Sequence, residues 1–269
     1  MTWRFTGASA TGTSHLERGL PCQDASRCAV LRTAAGEPVL AALVSDGAGS
    51  AQRAEIGAQL ACALAFDEIR SFLAAGGSVS GIDVPFLTAW LARFQIEIAA
   101  RAQAEGLRPR DFSCTFLGAV VGAESAVFFQ IGDGAIVVSP RGEEDEYSWV
   151  FWPATGEYEG STFFATDHDS AAHLEHSCVE RPIDEVAMFS DGLQRLVLDY
   201  RNRTAPAPFF RSMFSWLRAA AGEALPHLST LLQGHLGSPA INDRTDDDKT
   251  LILATRRRDH LEDEADPLR

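Results

Sequence analysis

The stretch Pro38-Val-Leu-Ala-Ala-Leu-Val-Ser-Asp-Gly-Ala-Gly-Ser50 constrains the chain most. An apolar run from Val39 to Val44 has the length and composition of a buried strand, and it stops at a carboxylate followed by turn glycines. From Ala54 to Phe66 apolar residues recur at three- and four-residue spacing, which predicts a helix. Asp46 therefore stands between a rigid strand and a helix start, where its side chain can be held in place.

The same device recurs. Phe128 to Ile131 leads into Gly132-Asp133-Gly134 and Val186 to Phe189 into Ser190-Asp191-Gly192, while Gln23-Asp24 and Asp246-Asp247-Asp248 adjoin further strand-like segments. A single Asp-Gly pair is usually only a turn, because Asp bonds its own backbone and Gly takes positive φ. Several acids delivered to one end of a sheet are different, since like charges in proximity raise one another's pKa and call for cations. Oxygen donors with room for water suit Mg²⁺ or Mn²⁺ better than zinc.

The rest of the chain reads as strands, two helices, β-hairpins, further helices and a last strand. Trp3 to Gly12, Ser26 to Leu31 and Val39 to Val44 are predicted strands, with a loop from Thr13 to Ala25 presenting His15, Arg18 and Asp24. Helices are predicted over about 50–74 and 84–103, where Trp90, Phe94 and Ile98 form a core stripe. Ser113 to Val121 pairs with Ser125 to Ile131 through the Gly122 turn, followed by strands at Ala135 to Val138, Tyr147 to Trp152, Thr162 to Ala165 and Val186 to Phe189. Segments 153–161 and 166–185 read as loops able to cover a site, and the region 141–185 as a candidate gate. Helices follow over 209–221 and 225–233, and a strand over 250–255 closes the chain. Grouped helices favour an α+β fold of antiparallel sheets over a doubly wound parallel sheet.

Composition narrows the function. The formal net charge of −14 argues against nucleic acid and against anionic membranes. No apolar run has the length of a membrane helix and no signal peptide opens the sequence, so a cytoplasmic protein is expected. Five scattered cysteines without a Cys-x-x-Cys pair read as reduced small hydrophobes. His168, His173 and His176 lack the cysteine partners of a zinc site. The nucleotide loops Gly-x-Gly-x-x-Gly and Gly-x-x-x-x-Gly-Lys-Ser/Thr and the Gly-x-Ser-x-Gly elbow are missing. The domain is expected over 1–256, with residues 257–269 as a polar C-terminal tail beginning within Arg256-Arg-Arg258.

Gln23-Asp24, Ser45-Asp46-Gly47-Ala-Gly-Ser50, Ser113-Cys-Thr115, Ile131-Gly-Asp133-Gly, Phe189-Ser-Asp191-Gly192 and Asp247-Asp-Lys-Thr250, in this order across nearly the whole chain, resemble the PPM-type (type 2C) metal-dependent serine/threonine protein phosphatases. The resemblance implies a four-layer sandwich of two antiparallel β-sheets flanked by pairs of helices. It implies Asp24, Asp46, Asp191 and Asp247 as ligands of two Mn²⁺ or Mg²⁺ ions, with the Gly47 carbonyl as a further ligand and Asp133 helping to hold a third. Such a centre lowers the pKa of a bridging water and clamps the phosphoryl oxygens, so that water attacks phosphorus directly. The implied substrate is a phosphorylated protein, with a Ser/Thr kinase as counterpart.

The chain departs from that pattern in three places. The Arg that grips phosphate in many relatives falls at Gly19, leaving His15 or Arg18 as substitutes. The His that some relatives carry after Asp-Gly is Ala48, leaving leaving-group protonation to His15 or water. The loop around 156–162 has no counterpart in the general pattern. An alternative is a catalytically weak module that binds a phosphorylated partner; retention of all five acids favours the enzyme.

Overall fold

The structure, a computed structural model, describes residues 2–153, 162–220 and 225–257. Ten strands form two five-stranded sheets in which every pairing is antiparallel. In chain order they are β1 (Arg4–Ala10), β2 (Ala25–Arg32), β3 (Pro38–Ser45), β4 (Phe116–Val121), β5 (Ala126–Ile131), β6 (Ala135–Pro140), β7 (Ser148–Trp149), β8 (Glu175–Val179), β9 (Ile183–Phe189) and β10 (Lys249–Thr255). One sheet runs β1-β10-β9-β6-β7 and the other β2-β3-β4-β5-β8.

Apolar alternation explains the layering. On β3, Val39, Ala41 and Leu43 enter a core shared with the helices α2 (Ala54–Ala74) and α3 (Val84–Glu105), while Leu40, Ala42 and Val44 enter the core between the sheets. On β10, Leu251 and Leu253 face the helices α5 (Ala207–Ala219) and α6 (Leu225–Leu236), and Ile252 and Ala254 face the other sheet. Both faces of each sheet are covered, so these antiparallel strands read as continuous apolar runs instead of alternating ones. The result is the expected helix-sheet-sheet-helix sandwich. The expected stripe Trp90, Phe94 and Ile98 is fully buried, with Trp90 stacked on Phe116 at 4.2 Å.

Five local expectations change. Thr13–Arg18, read as loop, is a short helix, α1, closed by Gly19 at φ 67°. Tyr147 to Trp152 contracts to the two residues of β7, and residues 162–165 are not a strand. The segment 166–185, read as loop, contains β8 and the start of β9. Arg256 and Arg257 pack instead of opening a polar tail: Arg256 Nε donates to Asp184 Oδ1 at 2.9 Å and Arg257 Nη1 pairs with Glu185 Oε2 at 3.2 Å. The unmatched loop at 156–161 and the rest of the tail, 258–269, lie outside the described residues.

Two further helices, α4 (Asp191–Val197) and α7 (Pro239–Asn242), adjoin the strand ends that carry the acids.

Candidate metal centre

Strand direction brings the acids together. β2, β6 and β10 begin at the end of the sandwich where β3, β5 and β9 finish, as the facing pairs Ala25 and Ser45, Ala135 and Phe189, and Leu251 and Phe189 record. Asp24 directly precedes β2, Asp46 directly follows β3, Asp133 lies between β5 and β6, Asp191 opens α4 after β9, and Asp247 precedes β10.

Each acid is locally fixed. Ser190 Oγ donates to Asp24 Oδ2 at 2.7 Å and accepts the Thr250 N–H at 3.0 Å. The Asp46 N–H donates to Thr115 Oγ1 at 3.0 Å, the Thr115 N–H returns to the Asp46 carbonyl at 2.8 Å, and Ser45 Oγ donates to the Thr115 carbonyl at 2.6 Å. The quoted Ser113-Cys-Thr motif thus clamps the backbone that carries Asp46. Gly132, at φ 106°, sets the Asp133 turn, and Gln130 Nε2 donates to the carbonyls of Gly132 and Gly134, each at 3.0 Å. Gly47 is obligatory on steric grounds, since a Cβ there would lie 2.6 Å from the Gln23 carbonyl oxygen and 2.7 Å from Ala54 Cβ.

The electrostatics are those of crowded, desolvated carboxylates. Burial, reinforced by the charges of Asp248 and Asp191, pushes Asp24 up to about 7 despite the Ser190 hydrogen bond. Burial and the charges of Asp24, Asp191 and Asp247 hold Asp46 well above the carboxylate range. Burial and Asp191 raise Asp133 to about 6, and partial desolvation and Asp191 also raise Asp247, which is exposed to solvent. Asp24 Oδ1 and Asp191 Oδ1 are buried with no hydrogen-bond partner. Among the described residues no three His, Cys, Asp or Glu side chains stand close enough as placed to hold a metal ion together. What the fold assembles is a set of mutually repelling oxygens with unused lone pairs, the donor chemistry that hard divalent cations take.

The predicted phosphate ligands are placed differently. His15 is buried in α1, with Nδ1 2.8 Å from Asp248 Oδ2. Arg18 is exposed, and its Nε donates to the Ser14 carbonyl of its own helix. Of His168, His173 and His176, the first two flank Asp169 at 3.7 and 3.6 Å, His173 also stacks on Phe163, and His176 Nε2 lies 3.1 Å from the Ile82 carbonyl.

Sequence reasoning overlooked Asp248. Besides His15 it accepts the Gly12 N–H and the Gln23 N–H, each at 2.6 Å, which ties the end of β1, the approach to Asp24 and the start of β10 to one carboxylate. The available signal was the run Asp246-Asp247-Asp248, of which only the middle acid was assigned a role. Ser190, read only as part of the motif around Asp191, is the second such residue, because it orients Asp24.

With this geometry in place, comparison with known proteins gives the lineage. Residues 11–233 match the model of the protein phosphatase 2C family, and the chain belongs to that family. It is 40% identical over 256 residues to serine/threonine-protein phosphatase 3 of Escherichia coli K12, covering 94% of this chain and 98% of that one. Among solved structures it resembles the serine/threonine phosphatase Stp1 of Staphylococcus aureus, with a TM-score of 0.59 at 16% identity and 96% of each chain covered. It also resembles RsbX, solved in complex with magnesium, with a TM-score of 0.54 at 12% identity and 94% of each chain covered.

Proposed function

We propose that the protein is a Mg²⁺- or Mn²⁺-dependent phosphatase acting on phosphoserine and phosphothreonine in proteins. The observation that carries this reading is that Asp24, Asp46, Asp191 and Asp247, from four separate parts of the chain, all stand at strand ends on one edge of the sandwich. Family membership and the 40% identical serine/threonine phosphatase support it. In this reading those four carboxylates and the Gly47 carbonyl hold two divalent ions, and Asp133 helps to hold a third. Bound cations would activate water at neutral pH and neutralise the phosphoryl oxygens.

The chain's own residues supply the rest. Ser190 and Thr115 fix Asp24 and the Asp46 backbone before substrate arrives, so little reorganisation is left for the reaction itself. In this reading His15, with Nδ1 held by Asp248, acts in its doubly protonated form: the Nε2 proton passes to the departing serine or threonine oxygen and leaves the ring neutral. The counterpart of such an enzyme is a Ser/Thr kinase, and the reading places both in the cytoplasm. No helix among the described residues is long and apolar enough to cross a membrane.

The test is hydrolysis of p-nitrophenyl phosphate and of a phosphothreonine peptide with Mn²⁺, with chelator and with Asp46→Asn. Metal-dependent turnover that the variant loses supports the reading; equal turnover in all three arms removes it.

A further inference from the structure

The family's phosphate-gripping arginine is missing at Gly19, and the obvious neighbouring bases are committed elsewhere: His15 to Asp248, Arg18 to the Ser14 carbonyl, Lys249 Nζ to Asn242 Oδ1 at 2.8 Å. α4 offers another base. It opens at Asp191 and carries Arg195 one turn later. Residues four apart on a helix share a face with Cβ atoms about 5–6 Å apart, so Arg195 rises beside Asp191.

Arg195 is exposed, and among the described residues its guanidinium has no hydrogen-bond or ion-pair partner. Arginines that this protein uses to balance carboxylates lie directly on them, as Arg218 does on Glu185 and Arg256 on Asp184. Arg195 is left available. Beside it is Tyr200, whose hydroxyl donates to Gln194 Oε1 and whose ring meets Trp152 edge-on at 5.3 Å. The loop that carries Tyr200 is fixed: Asp199 accepts the Arg201 and Asn202 N–H groups, and Asp199 and Thr204 exchange backbone hydrogen bonds. Besides burial, the Tyr200 hydroxyl is within electrostatic range of Asp133, Arg195 and Asp191, in keeping with the place of Arg195 one turn beyond Asp191 on α4.

An unpaired, planar, permanently charged donor at the rim of a carboxylate cluster matches phosphoryl oxygens carried in with the substrate. We propose that Arg195 binds the phosphoryl group of the substrate, with the Tyr200 hydroxyl beside it, in the role that Gly19 cannot fill. The assignment rests on the phosphatase reading above and goes beyond it by naming the group that holds the anion.

The experiment uses the full chain loaded with Mn²⁺ and inorganic phosphate as probe, titrated calorimetrically, alongside kinetics on p-nitrophenyl phosphate and a phosphothreonine peptide. Arg195→Ala is expected to weaken phosphate binding about tenfold or more and to raise KM on both substrates, with partial recovery in Arg195→Lys. Mn²⁺ affinity and thermal stability are expected to stay at parental values. Arg201→Ala, which removes the same charge from the loop that follows α4, is expected to leave phosphate binding within about twofold.

Parental phosphate binding in Arg195→Ala, equal weakening in Arg201→Ala, or an effect on the peptide alone would each overturn the assignment. If the parent itself neither binds phosphate nor hydrolyses either substrate with Mn²⁺, the phosphatase reading falls and this assignment with it. An active parent beside an unaffected Arg195→Ala removes the assignment only.

Discussion

Asp248 Oδ2 lies 2.8 Å from His15 Nδ1, and 233 positions of sequence separate the two residues. Both are buried, and a carboxylate can only accept, so the Nδ1–H of His15 donates to Asp248 and Nε2, on the other side of the ring, is left for proton exchange. The same carboxylate holds the Gly12 and Gln23 N–H groups. Asp248→Ala therefore strands three donors and is expected to cost about 3–5 kcal/mol of stability. Asp248→Asn, which keeps an acceptor and the shape, is expected to cost less. Urea unfolding of the two variants measures the difference, and equal costs would show that Asp248 only fills space.

The His15 assignment separates by leaving group. Departure of p-nitrophenolate needs no protonation, whereas a serine or threonine alkoxide does. His15→Gln is expected to lower kcat on a phosphothreonine peptide about a hundredfold while changing p-nitrophenyl phosphate turnover little. Equal losses on both substrates would give His15 a purely architectural role through Asp248.

Crowded acids make the metal-free protein sensitive to pH. A carboxyl whose pKa is higher in the fold than in the unfolded chain adds stability below the unfolded value, and that stability is lost as pH rises through the folded one. Asp24 moves from 3.8 to about 7 and Asp133 from 3.8 to about 6, while Asp46 and Asp247 also move up. In chelator, the melting temperature is expected to fall between pH 4 and 7. Mn²⁺ is expected to raise it more at pH 7.5 than at pH 5, since deprotonated oxygens bind the ion. Asp46→Asn removes one repelling charge and is expected to melt higher than the parent in chelator at pH 7.5, even as it loses turnover. Scanning fluorimetry reads all three trends.

The acids were legible because each follows or precedes an apolar run, and antiparallel pairing then leaves few ends at which they can lie. Local elements set by neighbours were less legible. α1 is too short for helical periodicity to show, and Gly12, Gly19 and Pro21 advertise a loop. The partners of Asp248 enter from more than 200 positions away, which no local pattern encodes. Arg256 and Arg257 read as solvent-facing charge because their partners, Asp184 and Glu185, fall in a segment read as loop, although β9 begins at Ile183 and buries both.

Glu185 shows how far the centre is insulated from the opposite end of the sandwich. It is fully buried and accepts from Arg218 Nε at 2.8 Å and Nη2 at 2.6 Å, from Thr255 Oγ1 at 2.8 Å, and from Arg257 Nη1 at 3.2 Å. From Glu185 to Phe189, the last residue of β9, are four steps of about 3.3 Å, or roughly 13 Å, and Asp191 lies two residues further on. Removing one arginine leaves the buried carboxylate under-compensated, so Arg218→Ala is expected to lower stability by about 3 kcal/mol in urea unfolding. At that separation the acids keep their own clamps, Ser190 and Thr115, and Mn²⁺ affinity at 25 °C is expected to match the parent within about twofold. A calorimetric Mn²⁺ titration decides the point: a tenfold loss of affinity in Arg218→Ala would mean that the packing of β9 transmits strain from one end of the sheet to the other.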